Sequence, residues 1–381
     1  MTSPSTTTTV AEKPKPHVRI RGKDIPVVLP NRRDPRLRLS AIIFTLQFLG
    51  QSVLGFKLSI AQILVTILVC GLAEGVMTYR SAHMLVWPAS GILTGNSISF
   101  ILRASGTKHG DWWSLRGIQF FVLAAVVSLL AKHLIRPWRG KHLFNPSNIG
   151  IVATLLIIGP ARVFPQYLWW GRYGSGPVLA AMAVILFGGY WVLKPVRMHA
   201  MVTAFLATFA VVVGIYALAG RNFVAIWHQG PISGMSYWVD IVCSPELLIF
   251  VFFMISDPQT APKSPRGRLM FGVGTALVAA ALLLPQSTEF GIKLSLLSSL
   301  TFTCALVPFI EGAVARRQAR AAGTTPATMP ARRRLTAAVL TPTVVAAAII
   351  ALAAPIDTST LIGNKGVVNI ERGLTGSRNP Q

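Results

Sequence analysis

The chain has 381 residues, of which 52% are hydrophobic and 13% charged, with a formal net charge of +24. Its mean hydropathy of +0.57 excludes an ordinary water-soluble globule and a disordered polymer. It points to an all-α, polytopic membrane protein.

Residues 1–38 are rich in Thr, Pro, Lys and Arg. They lack the early apolar core of a cleaved signal peptide, so they are expected to form a disordered basic cytoplasmic arm before an uncleaved first helix. About eleven apolar stretches follow, each near the length that a helix needs to cross hydrocarbon. They lie near 39–56, 59–77, 84–103, 115–134, 146–161, 177–194, 198–219, 245–257, 268–285, 292–312 and 335–355. Residues 39–320 thus read as a ten-helix membrane domain. A basic linker at 321–334, an additional transmembrane helix at 335–355 and a polar tail at 356–381 complete the expectation.

The charge is placed unevenly. With the N-terminus cytoplasmic, 25 of the 36 Lys and Arg residues fall on the inner side. That asymmetry sets orientation in a cell membrane. It also gives the basic excess a partner in anionic lipid headgroups rather than nucleic acid. Two longer outer connections, 162–176 and 220–244, carry Trp and Tyr residues suited to the membrane interface. Cys70, Cys243 and Cys304 are scattered, with neither CxxC spacing nor a disulfide framework. No metal site and no catalytic residue is read from the sequence.

Two polar, proline-broken runs interrupt the apolar pattern. Phe144-Asn145-Pro146-Ser147-Asn148 opens one stretch, and Met254 to Pro262, containing Asp257-Pro258-Gln259-Thr260, closes another. Bilayer hydrocarbon cannot satisfy loose backbone or a carboxylate, so such breaks belong where they face protein or a wet cavity. Asn145 either caps its helix or turns its amide to a ligand. Asp257 either caps amides or holds a cation, a proton or a neighbouring helix end. Glu74 and Glu311 lie near helix ends, where snorkelling or pairing with Arg80 and Arg316 would suffice. Ten helices divide into five and five, and an odd number per half makes any repeat inverted, with its site near mid-membrane. Trp87-Pro88 in the third helix and Asp257-Pro258 after the eighth are the corresponding breaks.

The segment Gly140-Lys141-His142-Leu143-Phe144-Asn145-Pro146 resembles a "G-(K/R)-x-x-x-N-P" signature. Phe253 to Pro262, followed by Gly267-Arg268 and Phe271-Gly272, resembles a "T-D-P" turn with its downstream basic residue and "Y-G". Both are motifs of the NqrB/RnfD family, the flavin-carrying membrane components of the sodium-translocating NADH:quinone reductase and of the Rnf complex. The resemblance implies a flavin-associated, redox-linked membrane subunit with other membrane or soluble subunits as partners. It implies cofactor-binding roles for Asn145, Ser175, Asp257 and Thr260. In that family a threonine in an "S-G-A-T" run carries FMN. Here the matching stretch is Tyr173-Gly174-Ser175-Gly176-Pro177, without that threonine. The implied cofactor is therefore a non-covalent flavin, FMN or riboflavin, and covalent FMN is not expected. Asp34 to Leu39 and Leu46 to Gln51 resemble a divergent branch, the UnbU-type proteins that accompany enediyne polyketide gene clusters. A small-molecule transporter and a scaffold for biosynthetic enzymes are the alternative functions.

Overall fold

The computed structural model describes residues 16–20, 22–31, 34–135, 142–167 and 175–323. The linker beyond 323, the eleventh apolar stretch and the polar tail lie outside the described residues, as do residues 1–15 of the basic arm and Trp169-Trp170.

The described part is an all-α membrane bundle. Its helices are α1 (Pro35–Ser52), α2 (Ile60–Ala82), α3 (Ala89–Ile101), α4 (Ile118–Leu134), α5 (Pro146–Ile158), α6 (Gly176–Val196) and α7 (His199–Leu218). They continue with α8 (Gly234–Val242), α9 (Pro245–Ile249), a π-helical turn at Phe250–Met254, α10 (Pro265–Leu283) and α11 (Glu289–Ala321). Counting α8 to the π turn as one, each of the ten apolar stretches expected between 39 and 320 contains a helix. Six are long and apolar enough to span a bilayer on length and composition.

Helix starts follow local chemistry. Asp34, Asn145, Ser244 and Ser264 each precede a proline at the first helical turn, and each side chain accepts a backbone N–H two or three residues on. A residue before proline is extended, and proline lacks the N–H that the first turn cannot use. Ser59 and Gln62 form a reciprocal capping box at α2.

The helices α3 and α5 have 13 residues each, about 20 Å of rise against about 30 Å of hydrocarbon. Extended chain makes up the remaining depth. Strand Leu102–Ala104 follows α3 and pairs antiparallel with Val163–Pro165, which follows α5. Leu102, Ala104 and Val163 are fully buried, so this open backbone is satisfied inside protein, as the bilayer demands.

The packing repeats. In the first five spans α1 meets α3, α2 meets α3 and α4, and α4 meets α5. In the second five α6 meets α9 and the π turn, α7 meets α8, the π turn and α10, and α10 meets α11. The halves join through equivalent partners, α1 on α6 and α5 on α11. This is the contact pattern expected of a five-helix repeat. Small residues permit the closest approaches. Gly91 and Gly95 sit one turn apart on α3, directly on the backbone of α2 at Cys70 and Thr66. At the centre, α11 is the most enclosed of the long spans, with 89% of its apolar window buried. Asn148 binds α5 to it, donating to Leu297 O and Thr301 Oγ1, both at 2.9 Å.

Two expectations change. Part of the basic arm is folded: His17–Ile20 and Lys23–Val28 form an antiparallel hairpin, whose second strand pairs in parallel with Leu85–Val86. The alternation of β-branched residues with Gly22 at φ 77° outweighed a composition that reads as disorder. The connection 220–244 contains α8, which stacks under α9 as the start of the eighth span. Trp238 there donates to Ala210 O of α7 at 2.8 Å, which ties α8 to α7.

Candidate functional site: a cavity between the two halves

A cavity of about 560 Å³ opens between the halves, within the about 300–1,000 Å³ typical of small-molecule sites. The N-terminal ends of α1 and α5, the C-terminal ends of α2, α4 and α6, the length of α3, and the π turn with its following loop all reach it.

The two broken motifs meet here. Asn145 is 8% exposed; its Oδ1 accepts from Asn148 N at 3.2 Å and from Ser147 Oγ at 3.0 Å. Its Nδ2 has only a long contact, 3.5 Å, to Met254 O across the junction. The oxygen thus caps α5 while the amide N–H groups keep donor capacity toward the cavity. Asp257 Oδ1 accepts from Gln259 N at 2.9 Å, and Asp257 O accepts from Thr260 N and Ala261 N. Its Oδ2 lies 3.7 Å from His142 Nε2. That nitrogen is buried without a hydrogen-bond partner.

The π turn explains how the loop reaches this depth. A π turn widens a helix by one residue and is enriched at functional sites. Pro258 then forbids continuation. Ser256 Oγ donates back to Phe252 O at 2.5 Å, which ends the turn.

The rim is built of acid–base pairs. Lys132 Nζ donates to Glu74 Oε1 and to Ser90 Oγ, both at 2.7 Å, and His133 Nε2 lies 2.9 Å from Glu74 Oε2. Arg36 reaches Asp34 at 2.6 Å, and its hydrogen bonds hold the Asp34 carboxyl below the usual carboxylate range. Deeper walls are apolar: Leu39, Ile43, Leu93, Phe100 and Phe253. A polar mouth over an aliphatic and aromatic interior suits a planar heteroaromatic with one polar edge.

Of the four residues singled out from the sequence, Asn145 and Asp257 line the cavity. Thr260 is buried just behind it, with Oγ1 3.3 Å from Asp257 O, and so supports the loop. Ser175 is elsewhere. It precedes α6, whose 21 residues put it about 30 Å from the end that reaches the cavity. Glu74 pairs with Lys132 and His133 rather than Arg80, because the C-terminal ends of α2 and α4 converge. Glu311 accepts the backbone N–H of Lys263 at 2.7 Å. Sequence reading missed Ser90, Lys132, His133 and His142. A lysine in the last turn of an apolar helix was the one signal present, yet it also reads as orientation charge. Among the described residues no group of three or more His, Cys, Asp or Glu is placed to hold a metal ion.

Fold and site together define a polytopic membrane protein built from two five-span halves around a shared cavity. Residues 163–320 match the model of the NQR2, RnfD, RnfE family. The chain is 26% identical over 208 residues to the RnfD-type component of the ion-translocating oxidoreductase complex of Shewanella denitrificans, covering 51% of this chain and 54% of that protein. It thus spans about half the length of the curated relative it matches. The segment matched by the family model contains the Asp257 motif.

Proposed function

We propose that this chain is an integral membrane subunit of a redox-driven ion-translocating complex, and that it binds flavin non-covalently in the cavity between its halves. The observation that carries the reading is the meeting of the Asn145 and Asp257 motifs around one cavity of ligand size. The residues present fit an isoalloxazine ring. Asn145 offers amide N–H groups to ring carbonyls, Asp257 and His142 stand at the polar end with Oδ2 and Nε2 3.7 Å apart, and Phe100 and Phe253 supply apolar surface. When bound, a flavin supplies one- and two-electron chemistry. The protein's part is to orient the ring, limit water and balance charge through the Glu74–Lys132 and Asp34–Arg36 pairs. Covalent FMN has no place in this reading, since Gly176-Pro177 stands where the family has its threonine.

The name of the Shewanella relative, a subunit of an ion-translocating oxidoreductase complex, supports partner subunits for this chain. The segments Asp34 to Leu39 and Leu46 to Gln51 support placement in the branch that accompanies enediyne clusters, where such a complex would work beside natural-product assembly. A transporter is the second reading, favoured by the repeated packing pattern around a central cavity. Protein that carries releasable flavin through purification supports the first. Colourless protein that moves a solute across liposomes supports the second.

The cavity opens to the cytoplasm if the N-terminus is inside. The expected result follows from the 25 of 36 basic residues on that side. The Ser175→Cys variant labels with an impermeant thiol reagent applied from outside, and the Ser264→Cys variant does not. The reverse pattern inverts the topology.

A further inference from the structure

At the other end of the eighth span lies a second buried polar cluster. Eleven residues separate Glu246 from Asp257, about 16 Å of helix rise. Lys293 of α11, 8% exposed, sits 2.6 Å from Glu289 Oε1 and 2.9 Å from Glu246 Oε1. It also donates to Gln166 O at 3.1 Å. Arg103 stacks over the Tyr167 ring at 4.2 Å, and Lys293 faces the same ring at 5.3 Å.

Two observations set this cluster apart from a saturated ion pair. Glu289 is 7% exposed, and its Oε2 has no hydrogen-bond partner. Gln166 is 2% exposed, with both side-chain amide atoms unpartnered. A buried acceptor left without a donor is unfavourable, most of all when charged. Beside Glu289, Glu246 and Lys293 lies a small cavity of about 30 Å³, also lined by Asp240 and Ser244. One water needs about 10–15 Å³ by this measure, so the cavity has room for one or two.

Among the described residues, five charged groups lie in or beside the cluster. Asp240 on α8, Glu246 on α9 and Glu289 on α11 supply three carboxylates. Lys293 on α11 and Arg103, in the strand after α3, supply two cations. Tyr167, after the fifth span, is neutral, and His228 lies beyond Asp240 in the exposed connection. Glu246 and Glu289 share the single cation of Lys293, and ionisable residues at membrane depth mark a proton or ion path by default.

We infer that Glu246, Lys293 and Glu289 form a proton-loading site, with Glu289 Oε2 the atom that takes the proton. Water in the small cavity delivers it as hydronium. The new O–H bond forms on Oε2, one water is released, and the cluster becomes neutral. Lys293 keeps its charge and holds both carboxylates in place. The eighth span links this site to the flavin cavity through the π turn, so protonation at one end can be felt at the other. That coupling rests on the proposed redox function; the proton site does not.

The test uses the full chain, purified in detergent, and infrared difference spectra between alkaline and acidic buffer. Acidification should produce a carbonyl band of a newly protonated carboxyl that shifts in heavy water. The band should vanish in Glu289→Gln and persist in Asp257→Asn. If Glu289→Gln fails to fold, Glu289→Asp should move the band to a new frequency. A band unchanged in both Glu289 variants, or no such band in the parent protein, overturns the inference. So does stabilisation by sodium at fixed pH that disappears in Glu289→Gln, which would make the site a metal-cation site. Flavin content is a separate readout. Its absence from protein that still shows the Glu289 band sinks the redox reading alone.

Discussion

Lys293→Met is expected to destabilise the protein more than any other single change at a buried polar position. Methionine fills the same volume but leaves Glu246 and Glu289 facing each other without their cation, Lys293 being 2.9 and 2.6 Å from them. Removing one member of a buried ionic group costs about 3–5 kcal/mol, because the remaining charge stays desolvated. The site lies where α11 meets α9 and the Gln166 segment, so the damage should spread to the packing of both halves. The measurement is the thermal midpoint of the purified protein in detergent, which should fall steeply. Adding Glu246→Gln and Glu289→Gln to Lys293→Met should restore most of the loss, since an uncharged, well-packed cluster is often as stable as a buried ionic one. An unchanged midpoint in the single variant would show that the cluster is hydrated far more than its burial indicates.

Ser97→Trp is expected to weaken ligand binding by more than about tenfold, equivalent to about 1.4 kcal/mol, without unfolding the protein. Ser97 lies on α3 between Thr94 and Ile101 and lines the cavity, where an added ring enters open space instead of a packed core. Overpacking a filled interior costs stability; filling a cavity does not carry that cost. Flavin affinity should fall by that factor, with the thermal midpoint held or raised. Titration of the apoprotein with riboflavin or FMN, followed by flavin fluorescence, reads the effect. Affinity equal to the parent's would move the flavin out of this cavity. A fall in both affinity and midpoint would mean that α3 had been displaced.

Much of the fold was legible because hydrocarbon imposes a simple rule. All ten apolar stretches between 39 and 320 contain helices, and the prolines at Pro35, Pro146, Pro177, Pro245 and Pro265 stand in the first turns of helices. The Asn145 and Asp257 motifs were visible as violations of the same rule. What stayed hidden depends on distance along the chain. Glu74 and Lys132 are 58 residues apart, and Lys293 lies 127 residues from Gln166. Each of the three charged residues alone looks like an end charge able to snorkel, and nothing local says which partner it finds. Extended segments at membrane depth were hidden for a related reason. Leu102–Ala104 and Val163–Pro165 satisfy each other's backbone, and only the tertiary fold brings them together. The folded hairpin at 17–28 was masked by a basic, Pro- and Thr-rich composition, although its alternation was there to be counted. Ser175 was singled out by likeness to an attachment segment, and likeness could not reveal that it sits at the far end of α6 from the cavity.

The central claim is that the cavity joining Asn145 and Asp257 binds flavin without a covalent bond. The most direct measurement is the absorption spectrum of the full chain purified in detergent, repeated on the supernatant and the precipitate after denaturation. The account predicts the two absorption bands of oxidised flavin in the native protein, and their complete transfer to the supernatant. Colourless protein that stays colourless after incubation with riboflavin and with FMN would contradict it, as would flavin that remains on the precipitated chain.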